Sequence, residues 1–486
     1  MNPHRGSQNR PEMNTVSIVD EAQDPPASAP VKSLYIWIVA SIAALGGFLF
    51  GYDWVVIGGA KPFYEKFFAL TLPSQQGWAM SCALIGCLLG ALASGALSER
   101  YGRKRPLILA AVIFCLSSIG TAMAGHFQVF VFWRILGGFA IGLASSLSPV
   151  YIAELAPAHL RGKLVSLNQL TIVCGILLAQ VVNWLIARPI SPTATVGEIL
   201  NSWNGQVGWR WMFGVTAIPS LLFLGAMFFV PESPRWLSRH GAADKAKAVL
   251  SSIGGKQYSE AVYSEIQSSI AAEHSEASLQ TLLQPKIRRI LWLGIFLAVL
   301  QQWCGINVIF NYAEEVFSAA GFPVSDILFN IVVTGAVNLL FTTVALRTVD
   351  RYGRRVLMLL GSAGLAIIYT LLGGLYYFHG HGLPMLLLVV AAIACYAMSL
   401  APVTWVVISE IFPSKIRGPA VSIAVTALWS ACFVLTYTFP FLNHALGASG
   451  TFWIYAAICA AGFVYLAFRL PETKGKSLEA IEELWS

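Results

Sequence analysis

Twelve apolar stretches, each long enough to cross a lipid bilayer, leave this chain little room to be anything but a membrane protein. Reading windows and their breaks places them at 34–59, 77–97, 106–124, 128–153, 163–187 and 208–230, then at 290–316, 325–346, 355–378, 384–408, 417–442 and 450–470. A hydrocarbon core ~30 Å thick needs about 20 such residues per helix, because lipid offers the backbone no hydrogen-bond partner. The runs are continuous rather than alternating with period two, which argues against a transmembrane barrel. Composition agrees: 56% hydrophobic and only 11% charged residues exclude a single soluble globule. The expected fold is an all-α membrane protein of twelve transmembrane helices.

Six spans precede a polar insert and six follow it. The expected division is a disordered tail over 1–31, an N-terminal six-helix half over 32–230, a linker of short amphipathic helices over 231–289, a C-terminal six-helix half over 290–470 and a tail over 471–486. The first 31 residues are polar and lack a basic region leading into a short apolar one, so they do not read as a signal peptide. Short loops set the orientation. Arg100, Arg103, Lys104 and Arg105 crowd the second connection and Arg347, Arg351, Arg354 and Arg355 the eighth, whereas the connections near Gly125, Gly321 and Gly380 carry no Lys or Arg. The crowded loops are expected in the cytoplasm, and twelve spans then put both termini and the insert there too. The net charge of +7 is thereby accounted for without nucleic acid.

The halves repeat each other. Glu99-Arg100-Tyr101-Gly102-Arg103-Lys104 recurs as Asp350-Arg351-Tyr352-Gly353-Arg354-Arg355. The segment from Glu154 through Pro157 to Arg161-Gly162 recurs from Glu410 through Pro413 to Arg417-Gly418, and Pro231-Glu232-Ser233 recurs as Pro471-Glu472-Thr473. Two pseudo-symmetric six-helix halves imply a substrate path between them near the membrane midplane. The repeated acids and arginines suit a conformational gate: Glu154 with Arg161, and Glu410 with Arg417, are expected to bridge helices in one state and part in the other. Static interfacial ion pairs and simple positive-inside anchoring are the plainer alternatives.

Asp53 and Arg134 lie deep in spans one and four, where an ionisable residue is costly and marks function by default. Their pairing and separation would let a proton load and unload; a permanent structural pair is the alternative. Gln301, Gln302 and Asn307 place three carboxamides within seven residues of the seventh span. Such groups both donate and accept hydrogen bonds, as sugar hydroxyls require. Phe50, Trp405 and Trp429 could stack on a sugar ring, and Pro402 is expected to break the tenth span. The eight cysteines show no Cys-x-x-Cys spacing and no nearby His at ligand spacing, so no metal is expected. No phosphate-binding glycine loop is present, so neither ATP drive nor enzyme chemistry is expected, and no cofactor.

These loop repeats, with Pro231-Glu232-Ser233-Pro234-Arg235-Trp236-Leu237, Gln301-Gln302-x-x-Gly305-Ile306-Asn307 and Pro471-Glu472-Thr473-Lys474-Gly475, resemble the sugar porter branch of the major facilitator superfamily from about residue 40 to 484. Bacterial proton-linked pentose and hexose symporters are most similar in character. The resemblance implies the major facilitator fold and sugar contacts at Phe50, Gln169, Gln301, Gln302, Asn307, Asn338, Trp405 and Trp429. It also implies a proton-coupling Asp at position 53, where facilitative animal carriers have Asn. The implied gate comprises Glu99, Arg100, Arg103, Glu154, Arg161, Glu232, Asp350, Arg351, Arg354, Glu410, Arg417 and Glu472. Ile176 and Leu428 stand where bacterial symporters have Gln, and Asn311 replaces the first of two usual tyrosines before Tyr312, so the particular sugar stays open.

The reading is a monosaccharide importer driven by protons, working by alternating access as a monomer in the plasma membrane, which is the inner membrane if the source is a Gram-negative bacterium. A proton-independent facilitator is the first alternative; a polyol carrier and a non-transporting sugar sensor are the others.

Overall fold

The computed structural model describes residues 32–191, 194–272, 284–322, 324–412, 416–472 and 474. Every regular element among them is helical. In the first half these are α1 (Ser33–Phe67), α2 (Pro73–Tyr101), α3 (Lys104–Met123), α4 (Phe127–Leu155), α5 (Ala158–Ile186), the short α6 (Val196–Asn201), a π-helical turn (Asn204–Gly208), α7 (Trp209–Gly214) and α8 (Ala217–Met227). The insert forms α9 (Pro234–Arg239) and α10 (Ala243–Ala272), the latter bent at Gly255. The second half contains α11 (Pro285–Trp303), α12 (Ile306–Asn311), α13 (Ala313–Ala319), α14 (Val324–Tyr352), α15 (Arg354–Tyr377), α16 (Leu383–Met398), α17 (Leu400–Ile411) and α18 (Arg417–Arg469).

Eleven of these helices or merged pairs are long and apolar enough to cross a membrane. The last, 53 residues long, bends at Gly447, whose φ of 67° is outside the helical range, and so supplies spans eleven and twelve. The twelve-span reading holds. Within each half the helices cross on small residues; Gly86 and Gly90 of α2 meet Gly138 and Gly142 of α4, which brings the backbones into contact. Between halves, α2 packs along α18 and α5 along α14.

Three spans depart from the sequence reading. The first runs on to Phe67, eight residues beyond its expected end. Pro62 lies inside the helix; it removes one backbone bond without ending the span. The seventh breaks at Gly305, where φ is 85° and α12 begins. The tenth breaks at Ser399 instead of at Pro402, which sits in the first turn of α17, where a missing N–H costs little.

The segments 1–31 and 475–486, together with Thr473 and the side chain of Asp350, lie outside the described residues.

Candidate functional site

Asp53 on α1 and Arg134 on α4 are both buried and in contact. Arg134 Nη1 donates to Asp53 Oδ1 at 2.8 Å and to Oδ2 at 2.9 Å. The guanidinium carbon lies 5.4 Å from the centre of the Phe213 ring, a cation–π geometry that holds the far side of the group. A cavity of about 20 Å³ beside the pair is lined by Asp53, Trp54, Met80, Cys87, Arg134 and Asn311, among others. That is room for one water molecule, enough to relay a proton.

The carboxamides of the seventh span form a chain. Asn307 Nδ2 donates to Gln302 Oε1 at 2.6 Å, Gln302 Nε2 donates to Gln301 Oε1 at 3.2 Å, and Gln301 Nε2 donates to the Ala401 carbonyl at 3.1 Å. The break at Gly305 allows this. A Cβ there would come within 2.7 Å of the Tyr455 ring, so only glycine permits the turn that sets Gln302 on α11 facing Asn307 on α12. Discontinuous helices of this kind build polar sites inside membranes.

An aromatic triangle closes the region between the halves. The ring centres of Phe50 and Trp429 lie 5.9 Å apart, those of Phe50 and Trp54 5.9 Å, and those of Trp54 and Trp429 6.1 Å. Trp54 is absent from the sequence-derived set; as one of 15 tryptophans it carries no signal of its own. Asn311 has the same status. Its Oδ1 is buried without a hydrogen-bond partner and it lines the Asp53 cavity.

The other expected contacts are dispersed. Asn338 on α14 is buried and Gln169 on the facing α5 half-buried. Trp405 is 41% exposed, one turn beyond the Ala401 carbonyl that Gln301 holds. Ile176 and Leu428 are both buried.

The gate residues form two matching clasps. In the first half Glu232 Oε1 accepts from the backbone N–H of Arg103 at 2.8 Å, at the start of α3. Arg103 Nη2 donates to Glu154 Oε1 at 2.7 Å. In the second half Glu472 accepts from the N–H groups of Arg354 and Arg355 at 2.9 and 3.1 Å, and Arg354 Nη2 donates to Glu410 at 3.1 Å. A carboxylate at a helix N-terminus satisfies N–H groups that lack partners and complements the dipole.

In this state the loop arginines, rather than Arg161 and Arg417, hold the two acids. Glu154 and Glu410 are each held by the arginine of the loop motif, Arg161 is exposed, and Arg417 donates to the Phe412 carbonyl. Glu99, Arg100 and Arg351 are exposed; the Glu99 carbonyl accepts from Trp236 Nε1 at 2.8 Å, and Arg100 and Arg351 each lie against the tyrosine that follows.

A family model described as sugar (and other) transporter matches residues 39–485. The D-xylose-proton symporter of Escherichia coli strain K12 is 40% identical over 485 residues, with 93% of this chain and 96% of that protein covered. The arabinose-proton symporter of Bacillus subtilis strain 168 is 37% identical over 452 residues, covering 93% and 95%. Among solved structures, the inward open conformation of the E. coli xylose transporter matches with a TM-score of 0.81 at 38% identity, over 93% of this chain and 100% of that one.

Proposed function

The chain belongs to the sugar transporter family, and on that premise we propose that it imports a monosaccharide, hexose or pentose, together with a proton by alternating access. One observation carries the reading: the proton site and the sugar site share a wall. Trp54 lines the Asp53 cavity with one face of its neighbourhood and joins Phe50 and Trp429 with the other. Asn311, the last residue of α12, reaches the same cavity four residues after Asn307.

The chemistry follows from charge. With Asp53 ionised, the Arg134 pair is complete and compact. A proton on Asp53 cancels the attraction and leaves a buried guanidinium without its counter-ion, so α1 and α4 must readjust. Sugar hydroxyls replace the internal carboxamide bonds of Gln301, Gln302 and Asn307, and the aromatic triangle supplies the apolar surface a ring stacks on.

The arginine-rich loops are read as cytoplasmic, which puts both termini and the 231–289 linker inside and the multi-pass chain in the plasma membrane. The likeness to an inward open structure supports a state closed on the outer face. The two halves are taken as 32–230 and 290–470, working as a monomer within the lipid bilayer. Gln169, Asn338 and Trp405 are assigned to the sugar path by family resemblance, and the two clasps to the gate.

Uptake of labelled pentoses and hexoses into proteoliposomes, with and without an inward proton gradient, tests the reading. Gradient-driven accumulation of one sugar supports it. Equilibration indifferent to the gradient would make the protein a facilitator and the Asp53–Arg134 pair structural.

A further inference from the structure

Lys61 lies on α1 about 42 Å along the axis from the helix start, at the face opposite the arginine loops, with 2% of its side chain exposed. A lone buried ammonium would be costly, and this one is surrounded by acids. Its Nζ is 3.2 Å from Glu65 Oε2 and 4.0 Å from Glu314 Oε2, and it touches Glu315 Oε1 directly. Glu65 belongs to α1, but Glu314 and Glu315 belong to α13 of the other half. The Tyr312 ring centre lies 5.5 Å from the ammonium. One turn before Lys61, a Cβ on Gly58 would fall 2.8 Å from the Phe310 carbonyl, so the halves are in backbone contact here. On the arginine face, by contrast, the Arg103–Glu154 and Arg354–Glu410 pairs each stay within one half.

We propose that Lys61, Glu65, Glu314 and Glu315 form the latch of the outer gate, made when the halves close on that face and broken when they part. The inference rests on the alternating-access reading above, not on which sugar is carried or on Asp53.

The latch has one cation for three carboxylates, so Lys61 is the member on which all three acids depend. Glu315 Oε2 and Glu65 Oε1 are buried without hydrogen-bond partners.

The experiment is a distance measurement by double electron–electron resonance, without sugar or gradient. Spin labels replace Leu72 and Phe441, exposed residues on opposite halves that flank the seam where the Trp78 and Phe433 rings meet at 6.5 Å. The half-buried native thiols Cys115, Cys174 and Cys395 are changed to serine. A short-distance population reports the closed outer face and a long-distance one the open face. Lys61→Met should raise the open-to-closed ratio on the order of tenfold or more at neutral pH, and Lys61→Glu with Glu315→Lys should bring it back. Distances unchanged by Lys61→Met, or an exchanged pair as open as that variant, would overturn the latch. If Lys61→Met does not fold, Glu315→Gln is measured in its place, and distances unchanged by it overturn the latch. Because no sugar enters the measurement, a failure to accumulate sugar leaves this result standing.

Discussion

Arg134 grips Asp53 with a single nitrogen: Nη1 lies 2.8 Å from one carboxylate oxygen and 2.9 Å from the other, while its buried Nε has no hydrogen-bond partner. Two parallel bonds from a guanidinium fork would be stronger and more directional. A one-nitrogen contact with spare donor capacity is easier to release, which suits the proposed opening of the pair in each cycle.

On the proposed reading, Asp53→Asn removes the group that takes the proton while keeping the shape of the side chain. Accumulation of sugar against its gradient should fall to simple equilibration, with exchange of labelled for unlabelled sugar retained. Proteoliposome uptake and counterflow measure the two separately. Persistent accumulation in the variant would remove Asp53 from proton coupling.

Gln302 is the middle of the carboxamide chain, accepting from Asn307 and donating to Gln301. Gln302→Ala should cost about 1–3 kcal/mol of sugar binding, roughly fivefold to somewhat over a hundredfold in Kd, with the unfolding midpoint nearly unchanged. Titration calorimetry reads the first and a thermal melt the second. Unaltered affinity would return the residue to helix packing.

Trp54 lines the Asp53 cavity and meets the Phe50 and Trp429 rings, so its removal should have a mixed effect. Trp54→Ala should weaken sugar binding and also lower the number of protons carried per sugar, although Asp53 and Arg134 are intact. Simultaneous pH-indicator and sugar-flux recording would show it. Weaker binding at an unchanged proton-to-sugar ratio would mean the tryptophan is a sugar contact only.

Glu232 and Glu472 each cap a helix start in separate halves. Glu232→Gln and Glu472→Gln should each cost about 1–2 kcal/mol of stability, and the double variant should cost their sum, since the two sites share no partner. Unfolding midpoints of the three variants in one detergent provide the comparison. A double variant no worse than either single one would show the clasps to be coupled.

How much of this was legible in the sequence depends on the physics behind each feature. The spans could be read because lipid forces every backbone bond inward and demands long apolar runs. Asp53 and Arg134 stood out because charge in such a run is rare, and the structure places them in contact. Lys61 was hidden by Pro62 beside it, which reads as a helix end although the helix continues. The break at Gly305 gave no warning, since glycine is common in transmembrane helices; only the φ of 85° reveals it. The partners that the clasp acids take in this state could not be read for a different reason. Spacing along the chain fixes which residues are neighbours on one helix, whereas Glu154 meets Arg103 from another helix altogether.

Each clasp closes upon its own half: Glu232 and Glu154 on Arg103, Glu472 and Glu410 on Arg354. A fastening of this kind would have served a six-helix ancestor before it was duplicated and had a second copy to face. The covalent join between the copies then tethers two pieces whose loop fastenings are each made within a single piece.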